Sequence, residues 1–169
     1  MNKLKSNEPV HYKVEVNKSF EDKNSEDLVI AQAKSILENR MNCGPVLNSP
    51  SVVKDFLIMQ NAEHSSQEVF SAIFLDSQHR KIKYEKMFFG TLTQTSVYPR
   101  ELAKVALQVN ASAVIVSHNH PSGDVTPSSS DIHLTKTLKS ALGLIDINLL
   151  DHIITGGSKA ISLAERGDC

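Results

Sequence analysis

The segment His118-Asn119-His120-Pro121-Ser122-Gly123-Asp124, with Ser128 and Asp131 beyond it, is the part of the sequence best equipped for chemistry. Residues two apart on an extended chain project to the same side, so His118 and His120 can aim both imidazoles at one point. Asp131 would add a carboxylate. Two histidines and a carboxylate are a donor set for catalytic zinc, because they leave a fourth tetrahedral position open for water. Pro121 and Gly123 bend the chain, and Ser128-Ser-Ser-Asp131 opens a helix that returns Asp131 toward the histidines. Each part alone is a weak signal: H-x-H is common, and S-x-x-D is the spacing of a helix cap. Their conjunction at a strand end points to metal binding. Capping and ligation are compatible, since a helix N-terminus favours a negative charge at Asp131.

The elements that must position these residues can be read from periodicity and punctuation. Residues 112 to 117 (SAVIVS) predict a short buried strand that delivers His118 to the start of a loop at 118–127. A helix follows from about Ser128, with Ile132, Leu134, Leu138 and Ala141 apolar and Gly143 at its end. Upstream, Glu68 to Asp76 and Lys81 to Phe89 predict a hairpin across the turn Ser77-Gln78-His79-Arg80. Pro99 starts a helix whose core face takes Leu102, Ala103, Ala106, Leu107 and Val109. Earlier still, Val29, Ile30, Ala33, Ile36 and Leu37 predict a helix at 25–41, which Gly44 and Pro45 break. Ser49 and Pro50 then open another, through about Gln60, with Val53, Phe56 and Leu57 on its apolar face. Residues 1 to about 24 read as a polar arm with a short strand at Tyr12 to Val16. Ile145 to Thr155 and Ala160 to Leu163 supply the last strands. Helices alternating with short apolar strands indicate an α/β domain, a mixed β-sheet flanked by helices. The division expected is an N-terminal arm and helix over 1–48 and one domain over 49–169.

With 169 residues, 40% hydrophobic and 22% charged, the chain can bury a core without disulfides. Lys plus Arg (18) nearly balances Asp plus Glu (19), so no overall field draws it to nucleic acid or an anionic membrane. Cys43 and Cys169 read as free thiols. The first 20 residues lack a continuous apolar segment of signal-peptide type, and no later run is long enough for a membrane helix, so the expected compartment is the cytoplasm.

The spacing His118-x-His120, seven residues, Ser128, two residues, Asp131 resembles the JAMM signature of JAB/MPN metallohydrolases at all four positions. Gly90-Thr91-Leu92, Pro99-Arg100-Glu101, HNHPSGDVTPSSSD and Asp151-His152-Ile153-Ile154 are similar to the RadC-like branch of that group, over roughly 50 to 165. The resemblance implies a cytidine deaminase-like arrangement, a Zn2+ ion on His118, His120 and Asp131, and hydrolysis of peptide or isopeptide bonds. It also implies a glutamate on or just before an early strand as general base. Glu68 is the candidate, with Glu63, Glu85 and Glu101 as rivals. Ser128 would hydrogen-bond the oxyanion of the tetrahedral intermediate. Where the RadC-like pattern commonly has His before Pro-Arg-Glu, this sequence has Tyr98. Longer members carry a helix-hairpin-helix DNA-binding domain, but no glycine precedes Gly44 here, which leaves nucleic-acid binding with little support.

Alternative readings divide on the same residues. A DNA-repair-associated binding module draws on the family resemblance, against neutral charge and 5% aromatic residues. A nucleobase deaminase needs H-x-E and P-C-x-x-C, both missing. An amidohydrolase barrel needs a longer chain. His11, His64 and His79 fall in polar stretches, and His133 faces away from Asp131. His152 either packs in the core or orients a ligand, with core packing favoured.

Overall fold

A computed structural model of the chain describes residues 23–43, 49–62, 66–90 and 97–169, with side chains of the first helix described over 26–37. The expected arm and its strand at Tyr12 to Val16 lie outside the described residues. So do Gly44, Pro45, Glu63, His11, His64, the Cys43 side chain and residues 91–96.

The elements are α1 (Lys23–Cys43), α2 (Pro50–Asn61), β1 (Val69–Leu75), β2 (Lys81–Phe89), α3 (Pro99–Gln108), β3 (Ala113–Asn119), α4 (Ser129–Gly143), β4 (Asn148–Gly156), β5 (Lys159–Ser162) and α5 (Leu163–Arg166). The five strands form one sheet in the order β2-β1-β3-β4-β5. β3 and β4 run parallel and are joined through α4, while the other neighbours are antiparallel. This is the α/β, mixed-sheet class that the alternation of elements predicts.

Local chemistry explains the boundaries. Pro50 and Pro99 occupy first-turn positions of α2 and α3, where a missing N–H costs nothing. In the turn between β1 and β2, the Asp76 carboxylate accepts from the backbone N–H groups of Gln78 and Arg80, each at 2.9 Å. Both faces of the sheet are covered. Phe70, Ala72 and Phe74 of β1, with Val114 and Val116 of β3, pack under Leu102 and Ala106 of α3 and Leu138 and Leu142 of α4. Ile73, Leu75, Ala113 and Ile115 face the opposite way, onto Val53, Phe56 and Leu57 of α2. A strand covered on both sides has no solvent face to mark with polar residues, so β1 is buried at every position.

Three expectations are corrected. β3 runs through His118 and Asn119, because pairing with Ile154 and Thr155 of β4 extends it beyond the apolar run. His118 is therefore a strand residue. Leu107 is 56% exposed, since the inward line of α3 passes through Leu102 and Ala106 and leaves Leu107 on the outer side. On α4 the buried side chains are Thr135, Leu138 and Leu142, whereas Ile132, Leu134 and Ala141 are half-buried. The inward line of that helix follows helical spacing back from Leu142 through Thr135 to Asp131, and so includes polar residues. No helix among the described residues is long and apolar enough to cross a membrane.

Candidate metal centre

At the C-terminal end of β3 the inward-facing line of residues, Val114 and Val116, continues with His118, which is 2% exposed. Asn119 then turns the chain's next side chain away, and His120 follows on the same side as His118. The His120 N–H donates to the Thr155 carbonyl at 2.7 Å, which keeps the segment alongside β4 for one residue past the strand. The Nε2 atoms of His118 and His120 lie 2.9 Å apart. Asp131, in the first turn of α4, brings Oδ1 to 3.3 Å from His118 Nε2 and Oδ2 to 3.7 Å from His120 Nε2.

These three residues form a group able to hold a metal ion among the described residues. Tetrahedral donors at 2.0–2.1 Å from zinc stand roughly 3.3 Å apart, a separation that the observed distances bracket. The other ring nitrogens are occupied. His120 Nδ1 donates to the Asp124 carbonyl at 2.6 Å, and His118 Nδ1 lies 2.8 Å from His152 Nε2. That leaves both Nε2 atoms facing the carboxylate, an arrangement that needs a proton or a cation in the gap. The donor set thus fits a small divalent ion.

Asp131 also belongs to a capping box. Its Oδ2 accepts from the Ser128 N–H and the Ser128 hydroxyl, each at 2.7 Å, while its own N–H donates to Ser128 Oγ at 3.2 Å. Burial works against ionisation of Asp131. The nearby His118 and Ser128 outweigh it and hold the carboxyl well below the usual carboxylate range. Asp131 is an anion at neutral pH.

The turn between His120 and α4 is held by two glycines. Gly123 adopts φ +80°, a left-handed conformation that side chains disfavour. Gly156, at the end of β4, lies so close beneath it that an added Cβ would stand 2.8 Å from the Gly123 carbonyl oxygen. This close approach positions the stretch whose Asp124 carbonyl anchors His120. Beside His120 lies a cavity of about 300 Å³, lined also by Asn61, Asn119, Pro121 and Thr155.

Residues 47–168 match the family described as RadC-like JAB domain. The chain belongs to this family. A UPF0758 protein of Leptothrix cholodnii is 50% identical over 139 residues, covering 82% of this chain and 62% of the relative. A UPF0758 protein of Cellvibrio japonicus is 48% identical with the same coverage. The chain therefore spans about 62% of the length of the curated relatives it matches. The resemblance expected over 50 to 165 is borne out.

Within this RadC-like JAB domain, Ser128 stands at the N-cap and is bonded to Asp131, so its structural role is occupied. Glu68 is half-buried and immediately precedes β1. It lies two residues before Phe70, whose ring packs edge-on against His152 at 5.9 Å. The pairing of β1 with β3 ends at Phe70 and His118, two residues after Glu68 and two before His120. Its rivals fare differently. Glu101 is engaged by Arg100 and Lys104, and Glu85 is paired with Lys83. Tyr98 stands at the N-cap position of α3, and its ring meets that of Phe88 at 6.1 Å.

Asn119 has a role that the sequence did not expose. Its Oδ1 accepts from the Val69 N–H at 2.7 Å and its Nδ2 donates to the Gln67 carbonyl at 2.9 Å, so it clamps the backbone on both sides of Glu68. His152 is fully buried in the core, the reading favoured for it, and its Nε2 lies 2.8 Å from His118 Nδ1. Burial, with the nearby His118 adding to it, lowers its pKa to about 3. Thr135, bonded to His152 at 2.6 Å, carried no sequence signal beyond its helical spacing from Asp131.

Proposed function

We propose that this RadC-like JAB domain is a zinc-dependent hydrolase, a metallopeptidase or isopeptidase acting on peptide or protein substrates in the cytoplasm. The observation that carries the reading is the convergence of His118 Nε2, His120 Nε2 and the Asp131 carboxylate, with both opposite ring nitrogens already engaged. Zinc held by these residues would supply Lewis acidity for acidifying a water and polarising a carbonyl. Glu68, whose flanking backbone the Asn119 clamp holds at the start of β1, would take a proton from the attacking water and return it to the leaving amine. Ser128, at the positive end of α4, donates its hydroxyl to the oxyanion when its hydrogen bond to Asp131 is exchanged for one to substrate. The cavity beside His120 gives the chain flanking the scissile bond a place to lie.

The test is hydrolysis of peptide and isopeptide-linked substrates by zinc-loaded protein, with Glu68→Gln as control. The substitution is expected to retain metal and to lower turnover by about 10²–10⁴-fold. Unchanged turnover would place the base elsewhere. Absence of hydrolysis by the metal-loaded wild type across both substrate types would contradict the hydrolase reading.

A further inference from the structure

A line of hydrogen bonds runs from the first turn of α4 through the core to the buried histidine of the metal centre. Thr135 Oγ1 is 2.7 Å from the Asp131 backbone carbonyl and 2.6 Å from His152 Nδ1; His152 Nε2 is 2.8 Å from His118 Nδ1. Thr135 and His152 are both 0% exposed, so water does not substitute for either partner.

The proton inventory favours one direction for the line. A carbonyl oxygen only accepts, and a threonine hydroxyl has one proton to give. With that proton directed to Asp131, the contact between Thr135 and His152 must take its proton from His152 Nδ1. A fully buried imidazole without a carboxylate among its hydrogen-bond partners keeps a single ring proton. His152 Nε2 is consequently a bare acceptor, and the proton in its contact with His118 belongs to His118 Nδ1. The ring orientation that results leaves His118 Nε2 as the nitrogen facing Asp131.

We propose that Thr135 and His152 are positioning residues that hold His118 as the Nδ1-protonated ring, with Nε2 presented to the metal. The proposal rests on the metal-site reading given above for its consequence, though not for the proton order itself. The anchor is the backbone of Asp131, itself one of the three donors, so one helical turn sets both the carboxylate and, through Thr135 and His152, the imidazole opposite it. Orienting a ligand through its second nitrogen is worth about 10–100-fold in metal affinity.

Two measurements test this. Imidazole ¹⁵N shifts of the wild-type protein, recorded without metal, are expected to show His152 protonated on Nδ1 and bare on Nε2, with His118 protonated on Nδ1. A bare His118 Nδ1 facing a protonated His152 Nε2 would overturn the proposal, whether or not the protein binds zinc. Zinc affinity, measured by chelator competition, is expected to fall about 10–100-fold in Thr135→Val and to be retained in Thr135→Ser. Equal affinity in wild type and a folded Thr135→Val would also overturn it. Failure of the wild type to bind zinc at all would instead count against the metal-site reading, leaving the shifts to decide the proton order. The shifts need only the wild type, so they decide even if the valine variant does not fold.

Discussion

The two ends of α4, and the stretches of β3 beneath them, obey different rules within one buried seam. At one end, Leu138 and Leu142 share an apolar cluster with Val114 and Val116. At the other, Asp131 and Thr135 meet His118 and His152, and each polar atom has a named partner. The backbone geometry is the same along the seam, a helix laid over a strand. The difference is what each end needs: volume at the apolar end, and a consistent assignment of protons at the polar end. Adjacent regions can therefore be broken independently.

The largest stability effect is expected at the apolar end. Leu138→Ala should cost about 2–5 kcal/mol in urea unfolding, while the protein that remains folded keeps its metal stoichiometry. Loss of metal from the folded fraction would show that the two ends are coupled. Gly156→Ala comes next, at about 1–3 kcal/mol, because the new Cβ overlaps the Gly123 carbonyl. Since the displaced stretch includes the Asp124 carbonyl that holds His120, this variant should also weaken zinc binding, as read by chelator competition. Ser128→Ala should cost about 0.5–2 kcal/mol in thermal or urea unfolding through the lost cap. Its effect on turnover, compared at equal metal occupancy, separates the cap from the oxyanion role: an unchanged rate would leave Ser128 as a cap alone.

The same contrast explains what could be read from the sequence. The apolar end was legible because hydrophobic periodicity reports burial directly: the helices at Pro50 and Pro99, the hairpin of β1 and β2, and the cover over both sheet faces follow from it. His118, His120 and Asp131 were legible because their types and spacing are unusual together. The extension of β3 through His118 was hidden because strand propensity is poor there and pairing with β4 supplies what propensity lacks. Thr135 was hidden because a buried polar residue on a helix interrupts the apolar line and reads as a gap. Asn119 was passed over for a similar reason: its clamp on Gln67 and Val69 joins residues about fifty positions apart, which no local pattern encodes. Leu107 shows the reverse error, an apolar residue at near-helical spacing that the helix leaves in solvent.

The central claim is that His118, His120 and Asp131 hold one zinc ion. It is tested most directly by elemental analysis of purified protein after zinc loading and removal of excess, with the double variant His118→Ala/His120→Ala as the comparison. The account predicts about one zinc per chain in the wild type, following a three-donor site with an open fourth position, and loss of that zinc in the folded double variant. A wild-type protein that retains no zinc, or a double variant that retains as much as the wild type, would contradict it.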